Sequence, residues 1–202
     1  MPARKRPKAY HHGDLREALV AAAIALLEEK GLSAFTLRQC ARRAGVSHAA
    51  PAHHFAAAED LLAEIAARGF ERFVATLGKA ADEAEGASLA RLEAMGRAYV
   101  AFALANPAVY GLMFRMGAGT LRSPHLKSAS LAAWQQLCDG VAAVLGPKRQ
   151  NEVIAKASAV WALVHGTATL LLDCKLPPGA TENADPTEAI LSSLPGLLRS
   201  SQ

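Results

Sequence analysis

The feature that most restricts the fold is a glycine, Gly45, between two short segments of helical character. The segment before it, "LRQCARRA" (37–44), repeats small and apolar residues at helical spacing, and a glycine after such a run usually ends the helix. Ser47 is suited to cap a third helix from His48 to about Phe55. With an amphipathic helix over residues 13–30, the pattern predicts a helix-turn-helix of three short helices.

The rest of the chain continues in helical segments without runs of strand-forming residues. Alanine is frequent, aromatic residues make up only 5% and hydrophobic residues 51%, which favours helices around a sizeable core. We therefore predict an all-α protein. The later helices are expected to run through about Glu85, from a cap at Ser88 to Ala105, from Pro107 onward, around Leu131–Val141, from about Gln150 to Asp173, and over the final "TEAILSSLPGLLRS".

Positive charge is concentrated in the first quarter of the chain. Residues 1–55 contain nine Lys and Arg against four Asp and Glu, whereas the remainder contains thirteen against fourteen. Such asymmetry indicates a partner with phosphate groups, either nucleic acid or an anionic membrane. The charge bias ends near Phe55, so we predict a DNA-binding domain over residues 1–56 and a ligand-binding and dimerisation domain over residues 57–202.

Four basic residues form an N-terminal arm: Arg4, Lys5, Arg6 and Lys8. The arm is expected to follow a DNA groove, where the release of counterions favours contact at low salt. The alternative is a tail that only keeps the protein soluble.

The apolar run "ALVAAAIALL" behind this basic start could be mistaken for a secretory signal. Asp14 and Glu17 precede the run, "EEK" follows it, and there is no small-residue cleavage site. We find no stretch of the roughly 20 apolar residues that a membrane span requires. Three cysteines far apart in the chain offer no disulfide or metal framework. We therefore expect a soluble cytoplasmic protein with no membrane partner.

Three histidines, His48, His53 and His54, lie close enough together to suggest a metal site. Residues five and six positions apart point in different directions from a helix, and residues 42–55 contain no Cys, Asp or Glu to complete a ligand set. On a helix-turn-helix, polar side chains of this kind suit phosphate oxygens and base edges better. We therefore predict no bound metal, and the alternative for at least one of the three is an ordinary surface histidine.

A helix-turn-helix reads DNA by presenting the first residues of its second helix to base edges in the major groove. Small residues there, Ala49 and Ala50, let the backbone approach closely, and an alanine methyl can touch a thymine methyl. Three arginines, Arg38, Arg42 and Arg43, lie on the supporting helix. They are positioned either to reach bases and phosphates or simply to form a solvated face.

Residues 13–62 resemble the DNA-binding module of TetR-type transcriptional regulators. The matching positions are Gly31, Phe35, Thr36, Ala41, Ala44, Gly45, Val46, Ser47, His54, Phe55, Glu59, Leu61 and Leu62. Further along, "NPAVYGLMF" and "VWALVHG" resemble a C-terminal domain with a Trp-His-Gly signature, here Trp161, His165 and Gly166. The resemblance implies a homodimer that binds a palindromic operator in double-stranded DNA. A small-molecule effector bound by the helical C-terminal domain would usually release it.

The resemblance also assigns roles by position. Thr36, Ser47 and His54 would contact phosphates, Arg38, His48, Ala49 and Ala50 would lie nearest the bases, and His53 would lie at the groove wall. Two positions depart from the family pattern, because Ala52 stands where Tyr is common and Ala58 where Lys is common. Both of the usual residues bind the DNA backbone, so we expect weaker DNA affinity unless the basic arm compensates.

Catalytic chemistry has little support in the sequence. There is no Gly-rich phosphate loop and no nucleophile motif, so we predict neither an enzyme nor a cofactor. Aromatic and methionine residues should mostly form the core, and some should line an apolar cavity. The candidate ligand-binding residues are Phe70, Phe73, Tyr99, Phe102, Tyr110, Met113, Trp134, Trp161 and His165. His165 is alternatively a hydrogen-bonded core residue, since buried polar groups need partners.

Residues 157–172 contain no Asp, Glu, Lys or Arg, which predicts burial in the core or between subunits. We expect dimerisation through this helix, at Val164 and Ala168, and through a second apolar stripe over residues 189–198. The function predicted is that of a ligand-responsive DNA-binding regulator, a repressor. The alternatives are a small-molecule-binding dimer that has lost operator recognition and a cofactor-binding enzyme, for which the sequence gives no positive sign.

Overall fold

The computed structural model describes residues 12–115, 123–176 and 185–199, and all the regular structure in these ranges is helical. This confirms the predicted all-α class. The α-helices are α1 His12–Lys30, α2 Leu37–Arg43, α3 Ala58–Glu83, α4 Ser88–Ala105, α5 Pro107–Arg115, α6 Pro124–Leu145, α7 Val153–Leu172, α8 Pro186–Leu191 and α9 Leu194–Leu198. The chain divides into two compact units, the first ending at Ile65 and the second beginning at Ala66, within α3.

The first unit packs α1, α2 and the start of α3 around a small apolar core. Leu19 and Ala23 of α1, Cys40 and Ala41 of α2, and Leu61 of α3 are fully buried. The side chain of Thr36 caps α2 by accepting a hydrogen bond from the backbone N–H of Gln39. Gly45 has φ +70°, a left-handed conformation that glycine adopts without strain, and this ends α2 as the sequence predicts.

The segment after Gly45 differs from the predicted third helix. It contains a 3-10 turn, Ala50–His53, in place of an α-helix from His48 to Phe55. Pro51 explains the difference, because it lacks the N–H that would bond to the carbonyl of Ser47, and that carbonyl accepts from Ala50 instead. The turn has no side-chain cap, so the predicted capping role of Ser47 is wrong.

In the second unit, α4 packs against α6, α7 and α8. Its core contains side chains from each of these helices, and Leu92, Val141, Ala157 and Leu191 are all at most 2% exposed. Gly69 allows α5 to approach α3 closely, since a Cβ at this position would lie 2.8 Å from atoms of Met113 and Val109.

Two details of the predicted helix ends are wrong in the second unit. Ser88 is the first residue of α4 and makes no capping hydrogen bond, because Ala87 occupies the cap position. The final segment forms two short helices, α8 and α9, where one was predicted. Pro195 lacks the N–H needed to bond to the carbonyl of Leu191, so a continuous helix would lose a backbone bond there.

Helix α7, which carries no charged side chain after Lys156, is partly a core helix. Val164 and Ala168 are at most 4% exposed within the protomer, as are Leu191, Leu194 and Leu198 near the C-terminus. These residues are already covered by the protomer itself, so the predicted dimer contacts through Val164 and Ala168 are wrong. The contact through the 189–198 stripe stays a prediction, since Ala189 is exposed and Leu197 is half-buried. A different side of α7 faces outward, where Ile154 is 61% exposed.

By length and composition alone, residues 147–172 could cross a membrane, with a mean hydropathy of 1.3 over the most apolar window. The sequence prediction that no segment approaches this limit is therefore wrong. The packing of α7 against α4, α6 and α8 is that of a helix in a helical bundle.

Candidate nucleic-acid interface and apolar cavity

The residues predicted to contact DNA lie on the accessible side of the first unit. Thr36, Arg38, Ser47, His48, Ala49 and His53 are exposed, and Ala50 and His54 are half-buried. Pro51 and Phe55 between them are buried and attach the 3-10 turn to the core. The alanine side chains of this segment are therefore accessible, whereas Pro51 and Phe55 pack against the core. The arm residues Arg4, Lys5, Arg6 and Lys8 lie outside the described residues.

A polar concavity of about 320 Å³ lies beside the turn, lined by Thr36, Arg38, Gln39, Arg42 and His48. Within the described residues, neither Arg38 nor Arg42 forms an ion pair, so both guanidinium groups remain available to an anion. The hydroxyl of Thr36 accepts from Gln39 and keeps its own proton for donation. Such a concavity suits phosphate oxygens or base edges.

Gln39 is a residue that the sequence analysis did not single out. It lines the concavity, and its Oε1 is buried without a hydrogen-bond partner among the described residues. An unpaired buried acceptor is costly to the fold. Only the three-dimensional neighbourhood shows this, since a glutamine on a short helix carries no sequence signal of its own.

Arg43 has a different role from the other two arginines of α2. Its guanidinium donates two hydrogen bonds of 2.7 Å to the carboxylate of Glu29, which ties α2 to α1. These hydrogen bonds lower the pKa of Glu29 and raise the pKa of Arg43. Arg43 therefore holds the unit together, whereas Arg38 and Arg42 face outward.

Metal binding has no support among the described residues, which contain no cluster of three or more His, Cys, Asp or Glu side chains. Cys40 and Cys138 are buried, and Cys174 is exposed. The Cys40 thiol donates to the carbonyl of Leu19, and burial raises its pKa to about 11, so it stays a protonated thiol at neutral pH.

The second unit contains an apolar cavity of about 340 Å³. Fourteen residues line it: Phe70, Phe73, Leu92, Met95, Gly96, Tyr99, Phe114, Ser130, Ala133, Trp134, Leu137, Val160, Trp161 and Val164. Of the nine candidate ligand-binding residues, Phe70, Phe73, Tyr99, Trp134 and Trp161 lie here. Phe102, Tyr110, Met113 and His165 are outside the lining. Phe114, Met95 and Leu137 are lining residues that the sequence analysis did not assign.

A hydrogen-bonded cluster of Tyr99, Tyr110 and His165 joins α4, α5 and α7 next to this cavity. Both tyrosine hydroxyls lie 2.8 Å from Nδ1 of His165, and the two hydroxyl oxygens are 3.2 Å apart. Tyr99 is the member that also lines the cavity. This arrangement makes His165 a half-buried, hydrogen-bonded residue.

Burial controls the protonation of this cluster. It raises the pKa of both Tyr99 and Tyr110, so both hydroxyls are protonated at neutral pH, and it lowers the pKa of His165 below its ordinary value. The imidazole is therefore neutral, and the ring tautomer decides whether its Nδ1 accepts from a tyrosine hydroxyl or donates to one.

The lowered pKa of His165 predicts a specific loss of stability in mild acid. Below about pH 6.5 the unfolded chain binds a proton at this histidine that the folded protein resists, so the free energy of unfolding falls as the pH falls. Urea unfolding at pH 7.5 and pH 5.5 measures the change. His165→Gln is expected to be less stable at pH 7.5 but to lose less on acidification. An equal loss in both proteins would contradict the neutral, half-buried imidazole.

Comparison with known families bears on both units. A family model described as "Bacterial regulatory proteins, tetR family" matches residues 19–65. A second, described as "Tetracyclin repressor-like, C-terminal domain", matches residues 92–194, just over half of the chain. The chain belongs to the TetR family. Members of this family are transcription regulators that bind DNA, act as dimers and are not enzymes.

Solved structures agree with this assignment over nearly the whole chain. A protein of unknown function from Rhodococcus sp. RHA1 is 34% identical, with a TM-score of 0.78 over 96% of this chain and 98% of that one. The TetR family transcriptional regulator PfmR from Thermus thermophilus is 20% identical, with a TM-score of 0.61 over 91% and 98%. The fatty acid degradation regulator FadR from Bacillus halodurans is 16% identical, with a TM-score of 0.69 over 95% and 96%. None of the curated proteins compared with the chain matches it.

Proposed function

We propose that this TetR-family protein is a transcriptional repressor that a small molecule releases from its operator. The observation that carries the DNA-binding part is the exposed concavity containing Arg38, Arg42 and His48, which no acidic side chain of the described residues neutralises. The observation that supports the effector is the apolar cavity in the second unit. We assign DNA binding to residues 1–56 and effector binding and dimerisation to residues 57–202.

In the proposed complex, the 3-10 turn and its flanks enter the major groove. Arg38, His48, Ala49 and Ala50 meet the bases, and His53 lies at the groove wall. Thr36, Ser47 and His54 contact phosphates. The exposure of the turn supports this assignment, since a tight turn with alanine side chains brings backbone and bases close. The arm residues Arg4, Lys5, Arg6 and Lys8 would add phosphate contacts outside the groove-reading turn.

The dimer interface that fits the structure is the outer face of α6 and α7. Leu131 of α6 and Ile154 of α7 are 55% and 61% exposed, the highest values among the large apolar side chains of the described residues. Ser158, Ala162 and Gly166 form a stripe of small residues on α7, and a Cβ at Gly166 would meet no atom within 4 Å. Such a stripe would let the α7 helices of two protomers approach closely, and a twofold dimer would match a palindromic site. We place the protein in the cytoplasm, without a membrane partner.

Selection of bound fragments from genomic DNA tests the proposal. We expect enrichment of one palindromic sequence. The centres of its half-sites should be separated by one helical turn of DNA, roughly 10 base pairs, or by a multiple of it. The double variant Arg38→Ala, Arg42→Ala should enrich nothing. A matched control, Lys79→Ala with Arg91→Ala, removes the same charges from the exposed surface of α3 and α4 and should enrich the same sequence as the wild type. No enrichment by the wild-type protein would sink the proposal.

A second candidate function rests on Ala52 and Ala58. Alanine at both positions removes two backbone contacts that the family resemblance implies, as expected for a dimer that binds a small molecule but no longer recognises an operator. In the fragment selection, that protein would enrich no sequence while still binding ligand in its cavity.

A further inference from the structure

The cavity of the second unit has no charged side chain among its described lining residues. Its wall consists of aromatic and aliphatic groups, with polar atoms only on Tyr99, Ser130 and the two tryptophans. We propose that its ligand is a small, uncharged apolar molecule, held without any ion pair. The ligand's role as the releasing effector rests on the proposed function, whereas its chemical class rests on the cavity alone.

The hydroxyl groups of the wall are already engaged. The Tyr99 hydroxyl lies 2.8 Å from Nδ1 of His165, and the Ser130 hydroxyl donates to the carbonyl of Lys127 at 3.0 Å. A carboxylate entering the cavity would lose its hydration and would find no cation, with only the indole N–H groups of Trp134 and Trp161 as further donors. Such a loss without compensation is the most unfavourable transfer that a binding site can impose, so anions are excluded.

A cation would need either a carboxylate or open aromatic faces; the described lining residues include no carboxylate, and in three ring pairs the edge of one ring occupies a face of the other. The rings meet edge to face: Phe73 with Tyr99 at 4.9 Å, Phe70 with Phe114 at 5.4 Å, and Trp134 with Trp161 at 6.3 Å between centroids. In each T-shaped pair, the edge of one ring covers a face of the other. Ring edges carry partial positive charge, so this wall favours neutral apolar surface over an ammonium group.

The volume limits the size of the ligand. About 340 Å³ lies near the lower end of the roughly 300–1,000 Å³ range of small-molecule pockets. Beside the cavity α4 packs closely on α8, since a Cβ at Gly96 would lie only 2.5 Å from Leu191, which is itself buried. The wall therefore cannot retreat on that side, and the ligand is limited to a small molecule.

The chain contains two tryptophans, Trp134 and Trp161, and both line the cavity. Intrinsic fluorescence therefore reports directly on occupancy, without a label and without DNA. Three probes share an eight-carbon chain and do not absorb at tryptophan wavelengths: 1-octanol, octanoate and octyltrimethylammonium. We expect 1-octanol to change the emission and to bind at least about tenfold more tightly than either charged probe at pH 7.5.

A variant with a smaller cavity locates the binding. Ala133 lines the cavity, so Ala133→Phe should weaken 1-octanol binding at least about tenfold by filling the space. The control Ala75→Phe makes the same change at an exposed position of α3 and should bind as the wild type does. Circular dichroism of each variant checks folding, and the probe series on the wild-type protein decides the ligand class independently of any variant.

Four results would overturn the inference: tighter binding of octanoate, tighter binding of octyltrimethylammonium, no response to any probe, or 1-octanol binding that Ala133→Phe leaves unchanged. None of these measurements involves DNA. If the protein prefers 1-octanol but enriches no genomic fragment, the proposed ligand class stands and the proposed repressor function fails. If it enriches an operator but prefers octanoate, the repressor function stands and the ligand class fails.

Discussion

Replacing Ile154 with arginine is expected to convert the protein into a monomer and to weaken operator binding by at least about 100-fold. Ile154, the second residue of α7, is 61% exposed on the face that we assign to the dimer, and a guanidinium there would be buried against apolar side chains without a partner. A monomer engages one half-site and loses the advantage of linked binding, which is worth roughly 10²–10⁴ in affinity. Light scattering measures the mass, and fluorescence anisotropy with labelled operator measures the affinity.

The matched control is Leu104→Arg. Leu104 is a large apolar residue of α4 that is 47% exposed, so the substitution makes the same chemical change away from the α6 and α7 face. This variant should remain a dimer with wild-type affinity. Val164→Arg, in contrast, should destabilise the fold itself, because Val164 is buried within the protomer. Dimeric Ile154→Arg with full DNA affinity would move the interface to another surface.

The double variant Ala52→Tyr, Ala58→Lys should bind the operator roughly tenfold more tightly. It restores the two residues that the family resemblance leads one to expect. Ala52 is exposed at the 3-10 turn, and Ala58 is the first residue of α3, so neither change disturbs the buried core. The added lysine should also make the dependence of log K on log salt steeper by about one unit per operator half-site. Preference among operator sequences should not change, because both new contacts are with the backbone.

Substitutions in the concavity should act in the opposite way. Arg38→Ala or His48→Ala is expected to reduce discrimination between matched and scrambled operators by about 1–3 kcal/mol, the usual value of a good base contact. Titrations on both DNAs, over a range of salt concentrations, separate the two kinds of effect. If the Tyr and Lys variants leave affinity unchanged, or His48→Ala weakens all sequences equally, the turn does not read DNA in the proposed orientation.

The helical architecture was predictable because the sequence marks its breaks clearly. Gly45 has positive φ, as its position after "LRQCARRA" suggests, and Thr36 caps α2 through its side chain. The two places where predicted helices were too long both contain a proline, Pro51 and Pro195. Near the start of a helix a proline is tolerated, so the sequence alone does not tell whether the segment forms an α-helix or a shorter turn.

The two candidate sites differ in how far sequence reasoning can reach. The DNA-binding residues cluster in one short stretch, so local pattern is enough to name them. The cavity is assembled from five helices, and the sequence does not tell which aromatic side chains face a void and which face another helix. Phe102 illustrates this, because its ring packs edge to face on Phe73, with 5.2 Å between the ring centroids, and it does not line the cavity.

The cluster of Tyr99, Tyr110 and His165 brings two hydroxyl groups to a single ring nitrogen. When the ring proton is on Nε2, two proton arrangements exist: either hydroxyl donates to Nδ1, and the other donates to its neighbour's oxygen across 3.2 Å. The cluster is therefore redundant, since loss of one hydroxyl leaves the other to satisfy the imidazole. A ligand in the cavity that drew the Tyr99 hydroxyl away from His165 would leave the hydrogen bond with Nδ1 to Tyr110. The contents of the cavity would then affect α5 through the position of a single proton.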